Sequence, residues 1–347
     1  MNHIHKLCLS FVLLISATTF AAECGNSKST DRPKAAVGKD AEEKLLNRDF
    51  AGLEVLAKAY RNPSVVTTEG LPKLSAFYSW MSDPAPPCGH DIPEQTWLDR
   101  QNLIDEWNEA VPGSAAASIA AADFQISYAW HARGNGYANE VTDEGWRLFA
   151  ERTAKARSLL EQPAVMADRS PARYGLMMQI ALMQSWKPKD YDKLYAEAAG
   201  KYPLYYDIYF QRKTYYSPQW NGTEGDFDKV VADAVKRTHK HIGQAMYARL
   251  HSSNSDLNQF TDGRTDWKRM KKGFQDLVAA YPDSWNRNNY AMFACRANDW
   301  ATFKEQAALF GDDVKMTVWG GIGGYYWCKA NANKGGAADP TKPVQYP

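Results

Sequence analysis

"DWKRMKKGFQDLVAAYPDSWNRNNYAMFACRAND", residues 266–299, is the stretch that decides the predicted fold. Its large apolar residues recur every three or four positions, which is the period of an α-helix with one buried face. Pro282 interrupts this pattern because a proline does not continue a helix, and Asp283 or Ser284 can then cap the next one. The stretch therefore predicts two helices joined by a short turn. The stripe of the first helix consists of Trp267, Met270, Phe274, Leu277 and Tyr281.

The same pattern recurs along most of the chain. Residues 41–61, 143–160 and 173–186 each carry apolar side chains at helical spacing. No stretch alternates apolar and polar residues with the period of two that a half-buried strand requires. The sequence therefore predicts an all-α fold.

Two segments share a helix–proline–helix arrangement. Residues 107–130 and 277–300 both place a proline two positions before a serine, followed by alanines and an aromatic residue at similar spacing. Repeated helix–turn–helix units are typical of tetratricopeptide-like α-solenoids, in which each helix pair buries its face against the next. The alternative is a coincidence in an alanine-rich helical protein. We predict one helical repeat domain over residues 23–332.

Two regions lack the helical pattern. Residues 62–93 contain several prolines and few apolar stripes, so we predict a long ordered connection there. After Val318 the chain is rich first in glycine and then in proline, and residues 333–347 are predicted to form a disordered tail. "GGIGG", residues 320–324, lacks the strand-before and helix-after context of a nucleotide-binding loop and is predicted to be a flexible turn.

The first 22 residues have the three parts of a secretory signal peptide. Lys6 is followed by the apolar run Leu7–Ile15 and by mostly small residues up to Ala22. The run is shorter than the roughly 20 residues that span a bilayer. Glu23 before Cys24 argues against a lipoprotein signal. The sequence predicts export, most simply to the periplasm, with no integral membrane segment after cleavage.

Four cysteines remain after signal cleavage, and an even number in an exported chain suggests disulfides. Their separations favour a Cys24–Cys88 pair and a Cys295–Cys328 pair among the three possible connectivities. The alternative for Cys295 is a small buried helix residue. No C-x-x-C spacing indicates a zinc or redox site.

Charge and motifs exclude several classes of function. With 41 basic and 40 acidic residues the chain has no global field that attracts nucleic acid. It contains no nucleophile elbow, phosphate-binding loop or zinc-protease motif, so we predict no metal and no cofactor.

His239, His241 and His251 share no helix face and are predicted to be surface residues. His90 beside Cys88 is a weak nucleophile pair, because a disulfide would remove the thiol.

Four segments resemble a bacterial family catalogued as domain of unknown function 4034. They are residues 45–61, 129–160, 215–227 and 266–299, and the resemblance covers most of the chain from about residue 42 to residue 310. The family pattern Pro-Arg-Trp-Gly-Gly-Ser reads Pro-Gln-Trp-Asn-Gly-Thr at residues 218–223, without the arginine and the first glycine. The resemblance implies a helical-repeat-like fold in exported or envelope proteins and no established activity.

The most distinctive polar cluster lies in residues 129–146. An arginine beside aromatic rings can bind a carboxylate or phosphate. The competing interpretation is that Arg133 and Gly134 end a helix, with Thr142 as the cap of the next. Trp220 joins the candidates because the resembled family contains it, although it can equally pack across a joint between helix pairs. The candidate partner-binding residues are Trp130, His131, Arg133, Asn135, Tyr137, Trp146 and Trp220.

These observations predict a non-catalytic helical scaffold that binds a protein or peptide partner in the cell envelope. The alternative is a protein that binds or hydrolyses cell-wall glycan, because aromatic residues make up 13% of the chain and flat rings stack on sugars. A hydrolase requires carboxyl groups in such a groove. The nearest carboxyl groups are Glu140, Asp143 and Glu144.

Overall fold

A computed structural model describes residues 31–84, 92–253, 260 and 264–334. These residues form helices joined by turns, together with one isolated antiparallel bridge between Val66 and Pro72. The predicted all-α class is therefore confirmed for the described part of the chain. The predicted signal peptide, Cys24, Cys88 and His90 lie outside these residues.

Seventeen helices occur in the described residues. The first nine are α1 Lys34–Leu46, α2 Phe50–Tyr60, α3 Lys73–Ser82, α4 Glu94–Ala110, α5 Ala115–Arg133, α6 Asp143–Leu160, α7 Pro163–Asp168, α8 Pro171–Met183 and α9 Pro188–Lys201. The others are α10 Asp207–Tyr215, α11 Asp226–Ile242, α12 Ala245–Ser252, α13 Trp267–Ala280, α14 Ser284–Arg296, α15 Trp300–Phe310, α16 Met316–Trp319 and α17 Ile322–Asn333. None of these helices has the length and apolar character needed to cross a membrane.

The turn at Pro282 forms as predicted. Helix α13 ends at Ala280 and α14 begins at Ser284, with Asp283 as the N-cap that accepts a 2.8 Å hydrogen bond from the Trp285 N–H. Ser114 likewise caps α5 by accepting a 2.9 Å bond from the Ala117 N–H. Each cap satisfies a backbone donor that the first turn of a helix leaves unpaired.

Helix α5 lies at the centre of the N-terminal half. It packs against α3, α4, α6, α7 and α8, and every residue from Ala116 to Ala129 except Ser127 is buried. Helix α6 instead buries one stripe, which includes Phe149 and Leu160 and faces α5. Burial of one such large side chain stabilises the fold by about 1.5–3 kcal/mol. Consecutive helices also pack on each other in the pairs α8–α9, α11–α12, α12–α13 and α14–α15.

The segment before α3 contacts the C-terminal half of the chain. Helices α1 and α3 pack on each other, and α3 packs on α5. The turn ahead of α3 places the Glu69 carbonyl where Arg249 of α12 and Asn286 of α14 both donate hydrogen bonds to it. The N-terminal helices therefore bridge elements that lie far apart in sequence.

The prediction of an irregular connection over residues 62–93 is wrong for residues 73–82, which form α3. This helix shows no single apolar stripe because it is covered on several sides. Phe77, Tyr78 and Trp80 are all buried on it, although they occupy nearly successive positions. A helix buried on most of its surface does not produce an amphipathic pattern.

The C-terminal end of the described chain is helical. Gly320 and Gly321 have positive φ values of 64° and 114° and form the turn into α17, a conformation that glycine adopts without a steric penalty. Cys328 of α17 lies 2.02 Å from Cys295 of α14, sulfur to sulfur, so this predicted pair is at disulfide distance. Helix α17 ends at Asn333, and the rest of the predicted tail beyond residue 334 lies outside the described residues.

Candidate functional site

The three candidate tryptophans lie together on the surface, although Trp220 comes from a segment that is distant in sequence from the other two. Trp130 at the end of α5 packs edge-to-face on Trp220, with ring centroids 6.0 Å apart, and on Phe149 at 5.1 Å. Trp146 packs on the same Phe149 at 5.8 Å. Trp146 and Trp220 remain 39% and 43% exposed. We call Trp130, Trp146, Trp220 and Phe149 the aromatic patch.

Arg133 supports the turn beside this patch. Its Nη1 donates hydrogen bonds of 2.9 Å and 2.8 Å to the carbonyl oxygens of Gly134 and Gly136. Gly134, with φ of 71°, is the C-cap of α5, and Thr142 caps α6 through its hydroxyl. The hydrogen bonds of Arg133 therefore agree with the interpretation that Arg133 and Gly134 end helix α5. The guanidinium also lies within 5.7 Å of the Trp130 ring and 5.4 Å of the Trp146 ring.

The other candidates of this segment point elsewhere or into solvent. His131 stacks on Trp97 at 4.7 Å, and its Nε2 lies 3.4 Å from Glu94. Asn135 is exposed, and Tyr137 is 81% exposed in the same turn. The structure thus joins Trp130, Trp146 and Trp220 with Arg133, and places His131 against α4.

The three carboxylates nominated for hydrolysis lie on the exposed side of this turn. Glu140 accepts a 2.6 Å hydrogen bond from the Tyr137 N–H, and Asp143 lies in the first turn of α6. Arg147 binds Glu144 through two 2.7 Å hydrogen bonds and holds the pKa of that carboxyl below its usual value. A general acid of a glycosidase needs the opposite shift.

The loop that carries Trp220 joins α10 and α11. The Trp220 N–H donates to the Ser217 carbonyl at 2.9 Å, and the Asp226 carboxylate accepts bonds from the N–H and hydroxyl of Thr223. Thr223 is not the N-cap of α11, because α11 begins at Asp226 with Gly225 as its N-cap. Thr223 instead holds the loop through its bonds to Asp226.

His251 is not a surface residue. It is only 1% exposed on α12, where it packs on Tyr247 and Phe227, and its Nδ1 lies 2.9 Å from the Thr265 hydroxyl. Burial lowers the pKa of His251 to about 4. The sequence placed His251 with His239 and His241, which are exposed on α11. His251 lies instead on α12, which is buried on nearly all sides.

The sequence did not indicate a concave feature that runs along α3. Two cavities of about 320 Å³ each adjoin along α3 and share Ser75, Asp207 and Gln211 as wall residues. Each volume reaches the lower end of the range of about 300–1,000 Å³ that ligand pockets occupy. We call the two cavities together the α3 groove.

Helices α1, α3, α5, α8, α10, α12, α13 and α14 contribute to the walls of this groove. The first cavity is lined by Arg32, Lys34, Leu71, Pro72, Ser75, Ala76, Asp207, Phe210, Gln211, Arg249, Ser252, Ser253, Phe274, Leu277, Trp285, Asn286 and Asn289. The second is lined by Ser75, Tyr78, Ser79, Ser82, Asp83, Asp123, Ser127, Ala172, Gly175, Leu176, Gln179, Tyr205, Asp207 and Gln211.

The first cavity carries basic groups held in place by the surrounding backbone. Arg249 is 8% exposed, and its Nη2 donates to the carbonyls of Glu69 at 2.6 Å and Gly70 at 3.2 Å, while its buried Nε has no hydrogen-bond partner. Arg32 lies over the Trp285 ring at 4.6 Å, and its Nε is likewise buried and unpartnered. Burial lowers the pKa of Lys34 and of both arginines.

The second cavity carries carboxyl groups. Asp123 of α5 is 8% exposed, and burial raises its pKa to about 7 despite a hydrogen bond from Ser82. Asp207 at the shared wall also has a raised pKa because of burial, although Ser75 and Tyr205 hydrogen-bond to it. Asp83 is the third aspartate that lines this cavity. Among the described residues, no lysine, arginine or histidine lines this second cavity.

Sequence reasoning missed the groove because its walls come from residues between 32 and 289, with no local motif. One feature of the sequence could have indicated a buried polar site. Asp123 stands within "AAADFQIS", a nearly apolar stretch of α5, and a carboxylate there must be buried if the helix is central. Buried ionisable groups with perturbed pKa values cluster at functional sites more often than elsewhere.

Nowhere in residues 31–84, 92–253 and 264–334 do three histidine, cysteine, aspartate or glutamate side chains form a group that could hold a metal ion. Comparison with known proteins finds no family model, no curated protein and no solved structure that matches this chain.

Proposed function

We propose that this protein is an exported, non-catalytic helical scaffold that binds a peptide or a peptide segment of a protein partner in the α3 groove. Export is supported by the signal-like N-terminal sequence and by the Cys295–Cys328 pair, since disulfides persist in oxidising compartments. The resemblance to the family called domain of unknown function 4034 fits this proposal, because that family consists of exported or envelope proteins.

The packed pairs α8–α9, α12–α13 and α14–α15 support a tetratricopeptide-like array as the finer architecture. In such arrays one helix of each pair lines an inner surface that binds extended partners. The groove walls follow this pattern for two of the pairs, because α8 and α14 contribute to them and α9 and α15 do not, whereas α12 and α13 both contribute.

The observation that carries the proposal is the charged wall of the groove. Arg249 and Arg32 keep buried N–H groups without a hydrogen-bond partner, and Asp123 is a buried carboxyl group in the same groove. A buried N–H group without a partner costs free energy, which a ligand that accepts its hydrogen bond recovers. The backbone and the termini of a peptide supply such acceptors and donors.

The test is native mass spectrometry of the protein with a pool of synthetic pentapeptides of randomised sequence. We expect one-to-one complexes with the wild-type chain. The variant Gln211→Trp places a large ring at the wall shared by both cavities and should abolish them.

The matched control is Lys236→Trp, which adds the same ring on the exposed side of α11. It should bind the pool like the wild type. Absence of complexes with the wild-type chain, or their persistence in Gln211→Trp, would contradict the proposal.

The aromatic patch favours a second candidate, binding of cell-wall glycan. Trp146 and Trp220 are exposed, Arg133 lies over the Trp146 ring, and exposed aromatic rings stack on sugars. Co-sedimentation with purified peptidoglycan tests this candidate. Binding lost in Trp220→Ala and kept in Tyr326→Ala, an exposed aromatic residue on α17, would support it. Equal sedimentation of both variants would oppose it.

A further inference from the structure

The α3 groove has opposite charges at its two ends. The first cavity contains Arg32, Lys34 and Arg249, and the second contains Asp83 and Asp123. Asp207 lies at the wall where the two cavities meet. A ligand that complements this groove therefore carries a negative group at one end and a positive group at the other.

Helix α3 gives the length of the groove. The first cavity touches the chain at Pro72, just before α3, and the second extends to Asp83, just after it. Pro72 and Asp83 are eleven positions apart, and eleven steps at the helical rise of 1.5 Å span about 16 Å. An extended peptide advances about 3.3 Å per residue, so about five residues fill this distance.

The basic end offers hydrogen-bond donors suited to a carboxylate. The Nε groups of Arg32 and Arg249 are buried without a partner, and guanidinium groups bind carboxylates through paired hydrogen bonds. Arg249 is more than nine-tenths buried, so its orientation is fixed by its bonds to Glu69 and Gly70 rather than by solvent.

The same end is also partly apolar. Phe274, Leu277 and Trp285 line the first cavity. A side chain next to the bound carboxylate would lie among these rings and methyl groups, where an apolar residue gains from removal from water.

The acidic end offers acceptors suited to an ammonium group. Asp83 and Asp123 lie in the second cavity together with the hydroxyl groups of Ser79, Ser82 and Ser127. An ammonium group donates three hydrogen bonds and pairs well with a carboxylate that has little access to water.

We infer that the α3 groove binds an extended peptide of about five residues with two free ends, its α-ammonium group between Asp83 and Asp123, its carboxylate at Arg32 and Arg249, and an apolar C-terminal side chain against Phe274, Leu277 and Trp285. This inference rests on the proposed function and assigns the ligand class and its direction in the groove.

The test uses the pentapeptide Ala-Ala-Ala-Ala-Phe in four forms, with free ends, N-acetylated, C-amidated and blocked at both ends. Isothermal titration calorimetry at neutral pH measures each affinity. Each block removes one charged group from an ionic hydrogen bond, so we expect it to weaken binding about tenfold or more.

Substitutions at Asp123 and at Arg32 test the two ends of the groove separately. Asp123→Asn should remove the penalty for acetylation and leave the penalty for amidation. Arg32→Gln should do the reverse, and Arg32→Lys should restore part of the amidation penalty. Lys236→Gln, on the exposed side of α11, is the control that should behave like the wild type.

The outcomes separate this inference from the proposed function. Equal affinity of all four forms, or an acetylation penalty removed by Arg32→Gln instead of Asp123→Asn, overturns the inference and leaves the groove as a peptide site. Failure of all four forms while the randomised pool binds also overturns it. Failure of both the pentapeptide and the pool overturns the proposed function as well.

Discussion

Arg249 of α12 donates a 2.6 Å hydrogen bond from Nη2 to the carbonyl oxygen of Glu69, a residue 180 positions earlier. Asn286 of α14 donates to the same oxygen at 3.2 Å. The turn ahead of α3 is thus fixed to two helices of the C-terminal half. This contact holds the turn ahead of α3 in place, and α3 forms the wall along which the α3 groove runs.

The first prediction concerns this contact. Arg249→Met leaves two buried carbonyl oxygens with fewer donors, so we expect a loss of about 2–4 kcal/mol in the free energy of unfolding. Urea unfolding followed by circular dichroism measures it. The matched control is Arg147→Met on α6, where the exposed arginine pairs only with neighbouring glutamates and the loss should stay below about 1 kcal/mol. Equal effects of the two variants would contradict the role of Arg249.

A second prediction uses two helical glycines. A Cβ on Gly38 of α1 would lie 2.1 Å from the indole of Trp80, so α1 and α3 approach closely because this residue has no side chain. Gly38→Ala should therefore destabilise the fold, by about 1–3 kcal/mol as overpacking typically does. Gly200→Ala on α9 meets no atom within 4 Å and should stabilise by up to about 1 kcal/mol, since alanine is the better helix former.

Thermal unfolding by scanning calorimetry distinguishes the two glycines. We expect the melting temperature to fall for Gly38→Ala and to stay level or rise for Gly200→Ala. A rise in both variants would show that Trp80 does not pack against Gly38 as described.

The third prediction is a pH dependence that comes from Asp123. Burial raises its pKa from 3.8 to about 7, so between these values the folded protein binds more protons there than the unfolded chain. Stability from this group therefore decreases as pH rises through that window, with a limiting slope of about 1.4 kcal/mol per pH unit. Asp123→Asn should remove this slope, and its stability relative to the wild type should increase from pH 5 to pH 8.

Urea unfolding at several pH values measures the difference. Asp105→Asn on α4, where the side chain is exposed, should leave a pH profile parallel to that of the wild type. A profile of Asp123→Asn that is also parallel to the wild type would mean that Asp123 is hydrated rather than buried.

The fourth prediction concerns the link between α14 and α17. The Cys295–Cys328 pair has a sequence separation of 33, and a cross-link that closes a loop of this size stabilises a fold by about 4 kcal/mol in the chain-entropy model. Cys328→Ser should lose about this amount, and a reducing agent should lower the melting temperature of the wild type but not of the variant. A wild-type melting temperature that does not respond to reduction would contradict the prediction.

The helices could be predicted where their sequence carries local signals. The turn at Pro282 and its cap Asp283 depend only on neighbouring residues, so the prediction for residues 266–299 is confirmed. Helix α3 was missed because Phe77, Tyr78 and Trp80 are buried on several sides and leave no stripe. Local pattern reveals a helix with one exposed face, and tertiary contacts determine the rest.

The candidate site, like the helices, could be predicted from the sequence only in part. The sequence indicated Trp130, Trp146 and Trp220 individually. The fold packs Trp130 and Trp146 on Phe149, and Trp220 on Trp130. The sequence did not indicate the α3 groove, because Asp123 and Arg249 stand 126 positions apart in sequence and neither belongs to a motif. A groove whose walls come from eight helices is visible only when the helices are packed.

The central claim is that the α3 groove, and not the aromatic patch, holds the peptide. The most direct measurement is photo-crosslinking with a free-ended pentapeptide that carries a benzophenone at its middle residue, followed by mass-spectrometric mapping of the modified residues. We predict crosslinks to groove-wall residues of α3 and α10, around Ser75 and Gln211, that disappear in Gln211→Trp. Crosslinks confined to the aromatic patch and the loop around Trp220 would contradict the claim.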